Sequence, residues 1–291
     1  MTNINSNGIA LQAGDQGVLM LHGLGASSLE LTRLAKDLHE QGFSVRAPDL
    51  QGYCYGTPAE PWQNWIEQTQ EHLWEMRKQY ETVSVVGVSM GATLGLMLAE
   101  RESLTSLVVL SAALSYDGWA IPWYQFLMDW TQWIPFSHVY KYKERDPFGI
   151  KNDETRAMVK RMMKLDHISE SGAETITLAS LKEGRRFIDA TLDNIEDINS
   201  PTLIMHAVDD ESVHIRSAER VFEQIRNHQK EMIYLGDSYH MITIDNERET
   251  VHQETTRFLK KMVNESLNRK VFDVPGVLSP ELRRYLKKQA A

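Results

Sequence analysis

The sequence has a single cysteine, Cys54, among 291 residues. One cysteine excludes an intramolecular disulfide, and a chain of this length buries enough apolar surface to fold without one. The composition fits a reducing compartment or a secreted protein without disulfides, and we favour the cytoplasm. The residues before Arg33 include no Lys or Arg, and residues 1–13 have no apolar run typical of a secretory signal.

Positive charge is also scarce. The chain has 31 Lys and Arg against 40 Asp and Glu, a formal net charge of -9. Binding to nucleic acid requires a basic face that neutralises phosphates, so this composition argues against a nucleic-acid partner. The sequence contains no H-E-x-x-H motif, no cysteine cluster and no G-x-G-x-x-G after a strand. We therefore expect neither a metal nor a cofactor.

Long uninterrupted apolar runs are missing as well. Residues 82–99 contain no charge, but Gly87, Ser89 and Gly91 interrupt them, and the pattern changes from β-branched residues to helical spacing. A membrane span needs roughly 20 apolar residues. The stretch is better interpreted as a strand, a sharp turn and a helix, so no transmembrane segment is predicted.

The same alternation of strand and helix recurs along the chain. Apolar runs predict strands at residues 17–21, 43–47, 104–110, 202–208 and 231–235. Helical spacing predicts helices at 62–80, 217–225 and 247–262, and another with Leu31, Leu34, Ala35 and Leu38 on its apolar face. Alternating elements of this kind indicate an α/β protein with a mostly parallel central sheet covered by helices on both faces.

Residues 115–195 break this rhythm and are largely helical in pattern. Eleven of the chain's 25 aromatic residues fall between Tyr116 and Phe148. We predict a helical cap insertion here, dividing the core into residues 1–114 and 196–266. Its apolar underside would line a pocket with Trp119, Trp123, Phe126 and Trp130. The alternative is that these rings form only the small core of the insertion itself.

The end of the chain, residues 267–291, differs from the rest. Six Lys and Arg oppose two acidic residues after Ser266, a local charge of +4, and Pro275, Gly276 and Pro280 predict a turn before a short helix. This basic extension could pack on the body, dock on a second copy to form a homo-oligomer, or stay loose. We expect it to be solvated and non-catalytic.

Residues 87–91 read Gly-Val-Ser-Met-Gly, a G-x-S-x-G motif where a predicted strand passes into a predicted helix. In that context the serine occupies a strained turn, and its hydroxyl projects above the carboxyl edge of the sheet. The positive end of the helix dipole favours negative charge that develops nearby. Ser89 is therefore the candidate nucleophile.

A second motif, His22-Gly23-Leu24-Gly25, directly follows the first predicted buried strand. In a parallel sheet this loop opens at the same edge as Ser89, so its main-chain N–H groups can reach the serine. We expect the N–H groups of Leu24 and Met90 to form an oxyanion hole. His22 is expected to shape the loop and not to act as the base.

Serine is a weak nucleophile without a base, and histidine suits that task. Among ten histidines, His240 lies between a predicted strand and the last helix. The imidazole also needs an acceptor. Asp209 and Asp210 follow the strand at 202–208, and either could serve, with Glu211 as a further competitor. The order nucleophile, acid, histidine fits a hydrolase of this topology, and we favour Asp210.

These segments resemble the α/β-hydrolase superfamily, and within it the bacterial carboxylesterases and monoacylglycerol-lipase-like serine hydrolases. The resemblance extends from about Gly17 to Met262. The segments that carry it are LHGLG at 21–25, GVSMG at 87–91, PTLIMHAVDD at 201–210 and DSYHMI at 237–242.

The resemblance implies an α/β-hydrolase fold with a helical cap. In such families the acid stands three residues after the small residue that ends its strand, which selects Asp210 through Ala207. The oxyanion donors of the family match Leu24 and Met90. The chain departs from the pattern where Gln51-Gly52-Tyr53 replaces a common Gly-His-Gly and where Ala207 replaces a glycine. These departures bear on loop geometry and therefore on substrate preference.

We therefore expect a serine esterase that acts through an acyl-enzyme on apolar short- to medium-chain esters, monoacylglycerols included. The same triad could serve a thioesterase, a lactonase or a C–C hydrolase, because fold does not choose among these reactions. Serine in place of aspartate at position 89 weighs against haloalkane and epoxide chemistry. A different class of function, a non-catalytic small-molecule-binding protein on this fold, stays open.

Overall fold

The structure is a computed structural model that describes residues 3–5, 8–119 and 141–267. Its strands are β1 (Asn3–Asn5), β2 (Gly8–Leu11), β3 (Gln16–Leu21), β4 (Ser44–Pro48), β5 (Thr82–Val88), β6 (Leu107–Leu110), β7 (Lys141–Lys143), β8 (Ile168–Ser169), β9 (Gly172–Ala173), β10 (Thr175–Thr177), β11 (Thr202–Ala207) and β12 (Lys230–Leu235). Its α-helices are α1 (Thr32–Glu40), α2 (Trp62–Arg77), α3 (Met90–Arg101), α4 (Asp153–Asp166), α5 (Leu178–Leu192), α6 (Arg216–Gln224) and α7 (Arg248–Ser266).

Eight strands form one sheet in the order β1-β2-β4-β3-β5-β6-β11-β12. The six strands from β4 to β12 are parallel to their neighbours, whereas β1 and β2 add an antiparallel edge. The predicted mostly parallel sheet is confirmed. The two edge strands escaped prediction because they are short and carry little alternation.

Alternate side chains of the central strands enter two separate cores. In β5, Val83 and Val85 pack with α2, α3 and α6, whereas Val86 and Val88 pack with α1 and α7 on the opposite face. A strand buried on both faces reads as a continuous apolar run, which is why the pattern at β5 was legible in the sequence.

The close approach of β3, β5 and α3 positions Ser89. A Cβ on Gly91 would lie 2.1 Å from the carbonyl oxygen of Leu21, and a Cβ on Gly87 would lie 2.2 Å from that of Gly91. Neither position has room for a side chain. Ser89, between them, adopts φ +55° and ψ -121°, a conformation that L-residues rarely adopt.

The segment between β6 and β11 contains two helices, α4 and α5, in its described part. It also contains two small antiparallel sheets, in which β7 pairs with β10 and β8 pairs with β9. The described part of the insertion thus combines helices with short strands, and strands of two or three residues are too short to show a period in the sequence.

Three predicted pocket residues, Trp123, Phe126 and Trp130, lie outside the described residues, and so do positions 268–291 of the basic extension. The limits predicted for the cap, 115–195, stay a prediction. No helix in the described part of the chain is long and apolar enough to span a membrane.

The strained turn at residue 89 predicts an unusual order of stabilities. Ser89→Gly should be about 1 kcal/mol more stable than Ser89→Ala, because relief of roughly 1–3 kcal/mol of backbone strain outweighs the 0.4–1 kcal/mol that a glycine costs through the unfolded chain. Urea unfolding of both variants measures the difference. The substitutions Ser217→Gly and Ser217→Ala, within helix α6, should show the opposite order of stability. If the glycine variant were less stable than the alanine variant at both positions, the backbone strain at Ser89 would be contradicted.

Candidate active site

Ser89 stands at the junction of β5 and α3, held by its own main chain. Its N–H donates to Leu110 O at 2.9 Å, and its carbonyl accepts from the N–H groups of Ala92 at 3.0 Å and Ala113 at 3.2 Å. These bonds fix the strained backbone from three sides. The side chain is left partly exposed at the carboxyl edge of the sheet.

His240 reaches this serine from the loop between β12 and α7. Its Nε2 lies 2.8 Å from Ser89 Oγ, and its Nδ1–H donates to Asp210 Oδ2 at 2.7 Å. The three side chains, separated by up to 151 positions in sequence, therefore form one continuous hydrogen-bonded chain. This is the arrangement in which an imidazole accepts a hydroxyl proton while a carboxylate fixes its tautomer.

Asp210 is the acid that the structure brings to His240. Its other oxygen, Oδ1, accepts the main-chain N–H groups of Ser212 at 2.9 Å and Val213 at 2.8 Å. Burial opposes ionisation, but the charge and hydrogen bond of His240 outweigh it and lower the pKa of Asp210. Asp209, by contrast, is exposed and approaches Lys151 Nζ at 3.5 Å.

His206, on β11, also contacts the carboxylate of Asp210. Its Nε2–H lies 3.0 Å from Val213 O and 3.3 Å from Asp210 Oδ2. The ring is buried, and burial lowers its pKa. A neutral imidazole that donates through Nε2 thus holds Asp210 without competing for the proton of Ser89.

His22 has the loop-shaping part that the sequence predicted. Its Nδ1–H donates to Gly23 O at 2.8 Å, and burial lowers its pKa. Its carbonyl accepts the hydroxyl of Tyr53 at 2.8 Å, and Gly25 N–H donates to Tyr53 O at 3.0 Å. Tyr53, where the family more often has glycine, therefore anchors this loop.

The two predicted oxyanion donors both belong to segments next to the serine. Met90 follows Ser89 directly, and a Cβ on Gly23, just before Leu24, would lie 3.7 Å from Ser89 Cβ. Within the described residues, the N–H groups of Leu24 and Met90 donate to no protein acceptor. Free amides at this position are what a developing oxyanion requires.

The insertion contacts the side chains of Leu24 and Met90. A Cβ on Gly184, in α5, would lie 2.8 Å from Leu24 Cδ2 and 3.2 Å from Met90 Cε. A Cβ on Gly25 would lie 3.0 Å from Ile176 Cδ1, on β10. The described part of the insertion therefore makes apolar contacts with the residues predicted to supply the oxyanion donors.

Several carboxylates surround His240. Burial alone would lower the pKa of the imidazole, but the charge and hydrogen bond of Asp210, then the charges of Glu211 and Glu30, raise it to about 9. Glu211 accepts His240 N–H at 3.1 Å, and burial raises its pKa. Burial also raises the pKa of Glu144 to about 7. In the described part of the chain, no cluster of His, Cys, Asp and Glu could hold a metal ion.

Asp245 joins the loop of His240 to the insertion. This fully buried carboxylate accepts four main-chain N–H groups. Two come from the insertion, Lys151 and Asn152, each at 2.8 Å, and two come from the histidine loop, Tyr239 at 2.8 Å and Asn246 at 2.9 Å. Charge-assisted bonds of this kind are among the strongest in proteins.

Trp119 is the one predicted pocket residue within the described part of the chain. Its indole N–H donates to Asp209 O at 3.2 Å, and its ring packs edge-on against Tyr239 with centroids 5.7 Å apart. The side chain is 63% exposed. Trp119 therefore lies beside the loops of the acid and the histidine, at the rim and not within the triad.

Sequence reasoning overlooked Glu30 and Asp245. A signal for Glu30 was present, because it stands four and eight residues before Leu34 and Leu38, on the apolar face of the predicted helix. Asp245 had no such signal, since its four donors come from two segments that are remote in sequence.

The family model described as "Serine aminopeptidase, S33" (Hydrolase_4) matches residues 12–248. The chain belongs to this family. It is a serine hydrolase with the α/β-hydrolase fold, as the resemblance implied, and the S33 match spans β3 through the start of α7.

Relatives of this S33-family hydrolase cover most of its length. A carboxylesterase of Bacillus subtilis (strain 168) is 24% identical over 86% of this chain and 95% of its own. A thermostable monoacylglycerol lipase of Bacillus sp. (strain H-257) is 26% identical over 85% of this chain and 92% of its own. The crystal structure of a Paleococcus ferrophilus monoacylglycerol lipase superposes with a TM-score of 0.73 at 18% identity, covering 87% of this chain and 97% of the other. That likeness shows the shared fold.

The four bonds to Asp245 predict a large effect of a small change. Asp245→Asn should lower the free energy of unfolding by on the order of 3 kcal/mol, because it removes the charge and sets an NH₂ group against main-chain donors. Urea denaturation measures the loss. The matched control is Asp237→Asn in the same loop, where an exposed carboxylate pairs with Lys151, and we expect about 0.5 kcal/mol there. Equal losses in the two variants would contradict the anchoring by Asp245.

Proposed function

We propose that this chain hydrolyses short- to medium-chain carboxylic esters, monoacylglycerols among them, through an acyl-enzyme on Ser89. The observation that carries the proposal is the hydrogen-bonded sequence from Ser89 Oγ through His240 to Asp210, with contacts of 2.8 and 2.7 Å. The coarser statement, a hydrolase of the esterase and lipase type, follows from the family and its relatives.

The proposed reaction has two halves. Neutral His240 accepts the hydroxyl proton as Ser89 Oγ attacks the ester carbonyl, and the N–H groups of Leu24 and Met90 stabilise the tetrahedral oxyanion. The imidazolium then gives its proton to the leaving alcohol, and an acyl-serine forms. Water, deprotonated by His240, attacks the acyl-serine and forms a second tetrahedral oxyanion. The bond between the carbonyl carbon and Ser89 Oγ then breaks, His240 returns the proton to Oγ, and the carboxylic acid leaves. Asp210 orients the ring and stabilises its charged form throughout.

The insertion is proposed as the cap over this site. Ile176 and Gly184 place it against the oxyanion loop and Met90, which supports an apolar acyl or alcohol pocket between cap and sheet. Pocket-lining by Trp123, Phe126 and Trp130 stays a prediction, as do assembly through the basic extension and location in the cytoplasm.

The class of substrate follows from two lines of support. The named relatives are a carboxylesterase and a monoacylglycerol lipase, and the partly exposed side chains of Leu24 and Ile176 offer apolar surface at the loop that follows β3. A panel of p-nitrophenyl esters, monoacylglycerols, thioesters and lactones of graded acyl length separates the candidate reactions. Turnover of thioesters or lactones in preference to every ester would overturn the ester assignment.

A fluorophosphonate probe tests the nucleophile. The wild-type chain should be labelled stoichiometrically and should hydrolyse p-nitrophenyl esters, whereas Ser89→Ala should lose labelling and at least about 10³-fold in kcat. The matched control is Ser106→Ala, a buried serine just before β6 at the other edge of the sheet, which should keep both. Labelling that persists in a folded Ser89→Ala protein would reject the proposal. Absence of labelling in the wild type, with tight binding of a small apolar molecule, would favour a binding protein.

The raised pKa of His240 predicts the pH dependence. Only the neutral ring accepts a proton, so kcat/KM should rise with pH through the pKa of about 9. Asp210→Asn removes the charge that contributes most to raising the pKa of His240. Its rising limb should therefore move to lower pH, while its maximum rate falls by on the order of 10³- to 10⁴-fold.

The neighbouring Asp209→Asn serves as the control in these pH–rate profiles. Its carboxylate is exposed and does not contact His240, so both the limb and the maximum should match the wild type. A limb that stays in place in Asp210→Asn, or that moves equally in Asp209→Asn, would assign the acid to another residue.

A further inference from the structure

The loop that carries the proposed oxyanion donor is held by an unusual number of bonds. Of the four consecutive amides from Gly23 to Ala26, three donate to protein acceptors: Gly23 to Glu30 Oε2, Gly25 to Tyr53 O and Ala26 to Gly23 O. Within the described residues, the N–H of Leu24 alone in this run has no acceptor. Its direction is set by the bonds on either side, because adjacent peptide planes share a Cα.

Two of the three bonds are made by main-chain oxygens, and the third is made by a side chain. Gly23 N–H donates to Glu30 Oε2 at 2.6 Å. A Cβ on Gly23 would lie 3.4 Å from both carboxyl oxygens of Glu30 and 3.7 Å from Ser89 Cβ. The carboxyl group of Glu30 and the side chain of Ser89 therefore both lie close to Gly23.

Glu30 is nearly inaccessible, in the 3₁₀ turn Ser28–Leu31 that precedes α1. Burial raises the pKa of its carboxyl group to about 7, although the Gly23 N–H and the charge of His240 favour ionisation. A buried acid is costly unless it is hydrogen-bonded or neutralised. An apolar residue at this buried position would avoid that cost, so packing alone does not account for a glutamate here.

We infer that Glu30 is a positioning residue of the oxyanion hole: its carboxyl oxygen holds the Gly23 amide so that the N–H of Leu24 faces the oxygen that forms on the substrate carbonyl. The inference rests on the proposed function, since it assigns Glu30 a part in stabilising the same tetrahedral intermediate. The acceptor, not the charge, performs the task, because neutral and ionised carboxyl groups both offer a lone pair to the Gly23 N–H.

Two variants separate the acceptor from the charge. Glu30→Gln keeps an oxygen acceptor in the same place, whereas Glu30→Leu keeps the approximate volume and removes the acceptor. We expect Glu30→Leu to lower kcat by about 10- to 100-fold with KM within about threefold, because a misplaced donor weakens only the transition state. Glu30→Gln should stay within about threefold of the wild type in both constants.

An alkyl trifluoromethyl ketone reports on the hole directly. It adds to the serine as a hemiketal oxyanion, so its inhibition constant should increase in Glu30→Leu by the same factor by which kcat/KM decreases. The matching methyl ketone, which binds without forming that oxyanion, should bind both proteins equally. A general distortion of the pocket would weaken both ketones, and that result would overturn the inference.

Glu100→Leu supplies a control for loss of a half-buried carboxyl group with a raised pKa. Glu100 lies near the end of α3, and burial raises its pKa to about 8. Its activity and both inhibition constants should equal those of the wild type. If Glu30→Leu does not fold, Glu30→Asp, which withdraws the oxygen by one methylene, takes its place with the same expected split between kcat and KM.

The outcomes are distinct from those that test the proposed function. If the wild type forms no acyl or phosphonyl adduct at Ser89, the function itself fails. If the wild type reacts and Glu30→Leu keeps its kcat and its affinity for the trifluoromethyl ketone, the positioning by Glu30 is wrong while the function stands. Equal losses in Glu30→Gln and Glu30→Leu would show that charge matters and would also overturn the inference.

Discussion

Contact between main chains at the centre of the sheet sets the geometry of everything above it. The carbonyl oxygen of Leu21 lies where a Cβ of Gly91 would have to be, and that of Gly91 lies where a Cβ of Gly87 would have to be. Two absent side chains therefore let α3 begin directly on the ends of β3 and β5. Ser89 adopts its positive φ between these two glycines, and Gly23, in the loop of Leu24, lies close to the serine.

The electrostatics of the site are dominated by negative charge around one imidazole. Asp210 contacts the ring, Glu211 accepts its main-chain N–H, and Glu30 and Glu144 lie within electrostatic reach. Each carboxylate favours the protonated ring, while burial opposes it, and the balance raises the pKa of His240. The raised pKa makes the His240 ring accept the serine proton more readily during attack. It also reduces the fraction of rings that are neutral before the attack begins. The pKa values of Glu30 and Glu144, both raised to about 7, reduce that conflict near neutral pH, because part of their negative charge is absent.

Much of the architecture was predictable because the buried parallel strands carry strong patterns. Strands β3, β5 and β11 read as apolar runs, and Ser89, Asp210 and His240 each follow a strand, so one topological rule brought them to one edge. The small sheets of the insertion were not predictable, since β8 and β9 have two residues each.

The buried carboxylates Glu30 and Asp245 also escaped prediction from the sequence. A glutamate in the first turn of a helix is ordinarily explained by the helix dipole, so Glu30 resembled a surface residue despite its alignment with Leu34. Asp245 could not be identified from any local pattern, because its partners at Lys151 and Asn152 are 94 and 93 positions away. Interactions of this kind depend on tertiary structure alone.

The bonds to Asp245 have a mechanical consequence. One buried carboxylate accepts main-chain N–H groups from Lys151 and Asn152 in the insertion and from Tyr239 in the histidine loop. These two segments are therefore expected to move together. An outward movement of the insertion at Lys151 and Asn152 would therefore also separate the His240 ring from the Ser89 hydroxyl. A small molecule must then enter the site along another edge of the insertion. Otherwise the hydrogen bonds among Ser89, His240 and Asp210 would break each time the insertion opened and re-form each time it closed.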